Sequence, residues 1–117
     1  MLPKQNRLTT RHQFNKVKRF GSSYSARCFH IYYLPIPDYS ENKETQVGFV
    51  VSTRFSKSAV KRNRVKRVFR EVVRQNFGKI KPGLWITIYP KIKSMVATYE
   101  EINTDLIKTL QNIPISR

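Results

Sequence analysis

An α+β fold, a single domain over residues 1–117 with three helices and a sheet of three to four strands, is what this sequence predicts, and three observations predict it. Helical and alternating apolar patterns succeed one another in the order helix, strands, helix, strand, helix. Capping residues, prolines and glycines punctuate them at intervals of element length. The 117 residues, 39% hydrophobic and 12% aromatic, hold enough apolar material for one core and too little chain for two.

Thr10 followed by Gln13 is a capping box that opens a helix running to about Arg19, with Phe14 and Val17 on one face and Gly21 as its stop. A short strand fits Ser22 to Tyr24. Arg27 to Leu34 alternates as a strand, with Phe29, Ile31 and Tyr33 on one side and Cys28, His30 and Tyr32 on the other. Pro35 to Thr45 breaks both periodicities and is a loop. Gln46 to Thr53 and Leu84 to Tyr89 are further strands, the latter bounded by Pro82-Gly83 and Pro90. Thr98 and Glu101 form a second capping box, after which Ile102, Leu106, Ile107, Leu110 and Ile113 make an apolar stripe ending at Pro114.

The helix from Ser58 to Phe77 has two faces of opposite character. At about 100° per residue, Val65, Val68, Phe69, Val72 and Val73 share one arc, and Asn63, Arg67, Arg70 and Arg74 line the other. Lys66 flanks this row on one side, Arg64 and Glu71 on the other, and Arg62 lies nearer the apolar arc. Exposed helix faces normally mix signs, because like charges three or four residues apart cost ~0.2–0.5 kcal/mol per pair. From Arg54 to Arg74 nine bases face Glu71 alone, which makes this face unfavourable without an outside anion.

Charge over the whole chain points the same way. With 23 Lys+Arg against 7 Asp+Glu, the formal charge is +16, and the first 37 residues hold no acid. Such self-repulsion is offset by a polyanion, and nucleic acid is the first candidate. A membrane surface is second, because it asks for a cationic helix free to insert rather than one packed in a fold. No apolar run approaches the ~18 residues of a membrane span, and the start lacks a secretory signal, so a cytoplasmic protein is expected. The single Cys28 excludes a disulfide framework and reads as a small core residue. The arginine-rich row suits phosphates and unpaired bases, which favours RNA.

The segment Ala59-Val60-Lys61-Arg62-Asn63-Arg64-Val65-Lys66-Arg67, continuing through Arg70, resembles the Arg-Asn-Arg signature of the protein subunits of bacterial ribonuclease P. Val47-Gly48-Phe49-Val50-Val51-Ser52 resembles the strand leading into it, and Arg7-Leu8, Phe14, Val17, Gly21 and the strand around Tyr32 match the same pattern. The resemblance implies a ribosomal-protein-like α/β sandwich with a mixed sheet. Its central helix joins two parallel strands by a left-handed crossover, where general topology rules give a right-handed one. It also implies an accessory subunit of an endonuclease in which a catalytic RNA, with Mg2+, removes the 5′ leader of precursor transfer RNA. The protein, monomeric within that complex and away from any membrane, binds that RNA and the leader. On this analogy Arg62, Asn63, Arg64, Lys66, Arg67 and Arg70, extended by Lys61, Arg74 and Arg54, contact RNA. Phe14 and Tyr32, with Lys18 and Arg11, line a cleft for the single-stranded leader.

The chain departs from the family at Lys18, where a second aromatic is common, at Thr53-Arg54, at Ser56, and at Trp85 and Pro90. Phe20 follows Lys18 by two residues, about 200° around the helix, and is expected to pack inward or cover the cleft's edge. No protein cofactor or metal site is expected: the seven carboxylates are scattered, and His12 and His30 lack recognisable partners for acid–base chemistry. The competing reading is a structural RNA-binding protein of the ribosomal kind. A DNA-binding regulator comes third, because no helix-turn-helix spacing accompanies the basic helix.

Overall fold

The computed structural model describes residues 2–117 and orders the elements as α1 (Arg11–Phe20), β1 (Ser22–Ser25), β2 (Phe29–Pro35), β3 (Gln46–Phe49), α2 (Ala59–Asn76), β4 (Leu84–Pro90) and α3 (Tyr99–Asn112). The four strands form one mixed sheet in the order β1-β2-β4-β3, antiparallel except that β3 and β4 run parallel with α2 as their crossover. Both expected capping boxes are in place, at Thr10 with Gln13 and at Thr98 with Glu101.

The sheet buries its two faces unequally. On one, the α2 arc of Val65, Phe69, Val72 and Val73 meets Phe29, Ile31, Ile86 and Ile88, and α3 adds Ile102, Leu106 and Leu110. Phe29 and Phe69 meet edge to face, their ring centroids 5.8 Å apart. Val68, at the margin of the arc, is only partly buried. On the other face, α1 sets Val17 over Trp85, with Leu8, Phe14, Tyr32 and Leu34 around them. Polar contacts fix that helix: Gln46 Oε1 accepts from Trp85 Nε1 at 3.1 Å and from Gln13 Nε2 at 3.2 Å, while Gln46 Nε2 donates to the Arg7 carbonyl at 3.0 Å.

Several elements differ from their sequence-based limits. β3 ends at Phe49 rather than Thr53, because the chain must leave the sheet to climb onto α2. The ladder persists for one bond, Val50 N–H to the Ile88 carbonyl at 2.9 Å, before a turn in which Phe55 N–H reaches the Ser52 carbonyl. β2 starts at Phe29, leaving Arg27 and Cys28 in a turn whose amides both donate to the buried Asp105 carboxylate, at 3.2 and 2.7 Å. Burial beside that carboxylate pushes the Cys28 thiol upward, which keeps it protonated and suits its place in the core.

Of the two places expected for Phe20, inward packing is excluded: 62% of it is exposed. With Lys18 on the sheet side of α1, a residue two positions on faces solvent, where the cations of Lys16 and Arg19 lie 5.9 and 5.3 Å from its ring. Gly21 follows because α1 turns into β1 with no room for a side chain. A Cβ there would collide with the carbonyl oxygens of Val17 and Tyr33. Gly21→Ala is therefore expected to destabilise the fold by about 1–3 kcal/mol, read as a lowered denaturation midpoint with an unchanged slope in a urea titration.

Candidate nucleic-acid interface

The α2 cations do not form one uniform row. Arg62 is half-buried and donates from Nη1 to the Ser56 carbonyl at 2.7 Å, which secures the turn before the helix. Ser58 caps that helix by accepting from the Lys61 amide. Arg64 donates from Nη1 to the Met95 carbonyl at 3.1 Å, tying α2 to the 3₁₀ turn Ile92–Met95 ahead of α3. Arg74 is held by Glu71 through two hydrogen bonds, of 3.0 and 2.6 Å. Bonds from Arg74 and Gln75 hold the Glu71 carboxyl down at about 2, so the pair is ionised at neutral pH.

Asn63, Lys66, Arg67 and Arg70 are different. Their side chains make no hydrogen bond or ion pair among the described residues, and all but the half-exposed Lys66 are exposed. Lys61 and Arg54 are likewise exposed, the former in the first turn of α2 and the latter in the turn after β3. The expected RNA-binding set thus divides by chemistry. Arg62 and Arg64 brace the surface, Arg74 is neutralised, and Arg67 and Arg70 present free guanidiniums about one helical turn apart.

Of the side chains expected in one cleft, Phe14 and Lys18 line two different recesses and Tyr32 lines neither. Phe14 lies against Gly48, whose missing side chain makes room for the ring. It borders a cavity of about 260 Å³ at the outer edge of β3, together with Arg7, Leu8 and Thr9 from the N-terminal segment and Arg70 from α2. Arg70 and Phe14 approach the same edge strand from opposite faces of the sheet. Lys18 lies elsewhere, while Tyr32 packs in the same cluster as Phe14 around Trp85. The Lys18 ammonium sits 5.4 Å from the centre of the Tyr89 ring, and Tyr32 meets Tyr89 edge to face at 5.3 Å. Arg11 is exposed in the first turn of α1 and lines neither recess.

Tyr89 is the residue that sequence reasoning missed, although its signal was present. Trp85, Thr87 and Tyr89 alternate onto the α1 side of β4, so the last of them extends the row beyond the helix. It borders a groove of about 920 Å³ along with Lys18, His30, Arg54, Lys91 and Lys93. Burial raises the Tyr89 hydroxyl's pKa, and burial together with the Lys91 charge lowers that of His30. Tyr89 is thus a neutral phenol at pH 7, and the His30 imidazole is uncharged there. No carboxylate borders this groove.

No three of His, Cys, Asp and Glu converge among the described residues. The acids that do form contacts serve the fold: Glu101 caps α3, Asp105 holds the Arg27–Cys28 turn, and Glu71 pairs with Arg74. Among the described residues no helix is long and apolar enough to cross a membrane.

Residues 2–114 match the family model described as Ribonuclease P. A "Ribonuclease P protein component" from Pseudanabaena sp. is 39% identical over 106 residues, covering 91% of this chain and 89% of that one. Another from Synechococcus sp. is 32% identical over 111 residues, covering 95% and 84%. Among solved structures, the RNase P protein from Thermotoga maritima in complex with 1-(4-fluorophenyl)-2-thiourea superposes with a TM-score of 0.78 at 26% identity, covering 92% of this chain and all 100% of that one. The Staphylococcus aureus RNase P protein, 21% identical, shares the fold with a TM-score of 0.80 over 96% and 98% of the two chains.

The division among the cations generates a measurable contrast. Arg67→Ala and Arg70→Ala should each reduce the slope of log affinity against log salt for RNA by about 0.7–0.9, with the fold intact. Arg74→Ala should change it less. Glu71→Gln, which releases Arg74, should strengthen RNA binding and steepen the slope. Equal effects at Arg67, Arg70 and Arg74 would contradict this division.

Proposed function

The chain belongs to the ribonuclease P protein family and is a protein component of that RNA-containing enzyme, whose role is the processing of the 5′ end of transfer RNA; from that membership we propose how it works. The protein binds a catalytic RNA and the 5′ leader of precursor transfer RNA. The RNA, with Mg2+, performs the hydrolysis, and this chain orients the two RNAs. The observation that carries the reading is the outer arc of α2, where Arg67 and Arg70 are free of protein partners in a chain of formal charge +16.

Each part of the surface has a chemical role under this reading. Asn63, Lys66, Arg67 and Arg70, with Lys61 and Arg54, take phosphates of the RNA partner, the arginines through bidentate contacts. Arg62 and Arg64 reach RNA only while they also hold the loops beside α2. Phe14, Lys18 and Tyr32 border the path of the leader, with Arg11 at its approach. Rings beside cations bind a single strand with little regard to sequence, because every base has a face to stack and every linkage a phosphate. A processing enzyme that meets many different leaders requires that tolerance.

The carboxylates do not fit a site for a pair of catalytic ions, since Glu71, Glu101 and Asp105 are committed to Arg74, a helix cap and a backbone turn. The ions therefore belong to the RNA in this reading. Changing Asp38, Glu41, Glu44 and Glu71 singly to the amide should leave the cleavage rate of the reconstituted complex within a few-fold. Asp105→Asn should lower stability by about 1–3 kcal/mol through its two amide partners. A loss of several orders of magnitude in rate at any of these positions, with RNA affinity kept, would show that chemistry resides in the protein.

The experiment that tests the whole proposal is recovery of the protein from native lysate at moderate salt, followed by sequencing of the RNA bound to it. One dominant structured RNA of a few hundred nucleotides, able with the protein to cleave precursor transfer RNA, is the expected result. Recovery of ribosomal RNA alone would favour a structural RNA-binding role instead.

A further inference from the structure

The α1 side of the sheet is built in three cross-strand rows, and the helix covers only two. Leu34, Trp85 and Gln46 form the first row, and Tyr32, Thr87 and Gly48 the second, both under Phe14 and Val17. The third row, His30 beside Tyr89, has no helix above it. Lys18 alone overhangs it from α1. A half-buried aromatic ring thus forms the floor of an open groove whose charged walls are all cationic.

We propose that this third row is a subsite for one unpaired nucleotide, in which the base stacks on Tyr89 and the flanking phosphates are drawn by Lys18, Arg54 and Lys93. The inference rests on the leader-binding reading above and adds to it a residue and a place. Tyr32 braces the ring from its edge, so the platform is rigid before any nucleotide arrives. Lys91 is committed elsewhere, its ammonium donating to the Ser25 hydroxyl at 2.8 Å and the Ala26 carbonyl at 2.6 Å. Lys18 is not committed in that way. An ammonium over a ring that is open to solvent on that side is held more weakly than a stacked base, so an entering base displaces it towards the neighbouring phosphate at little loss. His30, uncharged and directly across from Tyr89, leaves the groove floor without a fixed charge that would compete with the base.

The test uses the complete ribonucleoprotein with precursor transfer RNAs whose leaders are shortened one nucleotide at a time. The wild-type protein, Tyr89→Phe and Tyr89→Leu are compared for affinity. With wild type, affinity should rise in steps as the leader lengthens. Tyr89→Leu, which keeps an apolar side chain but no ring, should lose one such step, a weakening of about 5- to 150-fold for long leaders and none for mature transfer RNA. Tyr89→Phe should retain that step, which separates stacking from any general effect on the fold. Retention of every step by Tyr89→Leu, or an equal loss on mature transfer RNA, would overturn the subsite while leaving the leader reading in place. A wild-type complex indifferent to leader length would overturn the leader reading, and the subsite with it.

Discussion

The packing of the apolar arc of α2 on the sheet is the interaction on which the rest of the structure depends. Between Ala59 and Asn76 this helix carries seven bases and one acid, and no acid in its first turn to complement the dipole. Each like-charged neighbour pair costs ~0.2–0.5 kcal/mol, whereas full burial of Val65, Phe69, Val72 or Val73 contributes ~1.5–3 kcal/mol apiece. Burial wins, and by winning it fixes the orientation of the opposite arc. Arg67 and Arg70 face outward because Phe69 and Val73, on the apolar arc, face inward, and the helix has no freedom to roll.

That constraint also explains how the cations are distributed. Close to the N-terminus of α2, Arg62 offsets its unfavourable position by bonding the Ser56 carbonyl, and Arg64 does so at the Met95 carbonyl. Near the C-terminus Arg74 complements the dipole and is paired with Glu71 as well. In the middle of the helix no loop carbonyl is bonded, and the one acid within a turn, Glu71, is taken by Arg74 and Gln75. Its guanidiniums remain unsatisfied in the protein, and a polyanion finds there the strongest uncompensated charge on α2. The free surface is thus the residue of a local search for partners that succeeded at both ends and failed in the centre.

The second working surface follows from where α1 crosses the sheet. The helix runs from Phe14, against Gly48 of β3, to Gly21, beside Tyr33 of β2, and so lies over the rows of Trp85 and Thr87 and leaves the row of His30 and Tyr89 to one side. Gly21 turns the chain into β1 there because only a residue without a Cβ fits between the Val17 and Tyr33 carbonyls. The open groove is therefore a product of where a helix crosses, in the same way that the free arginines are a product of where a helix packs.

By itself the sequence determined the elements, both capping boxes, the two faces of α2, the burial of Cys28 and the family, since all of these depend on neighbours within a few positions or on local spacing. It also placed Asn63, Arg67 and Arg70 on the exposed arc, because 3.6-residue periodicity leaves one answer once the apolar arc is known. Only the tertiary structure decided that Arg62 and Arg64 are spent on loop carbonyls, that Phe20 faces solvent, that Phe14 and Lys18 border separate recesses, and that Tyr89 stands beneath Lys18. The physical reason is common to all four. Each depends on a residue distant in the chain or on the reach of one element over another, and such meetings are set by strand register and helix length rather than by the pattern of any single segment.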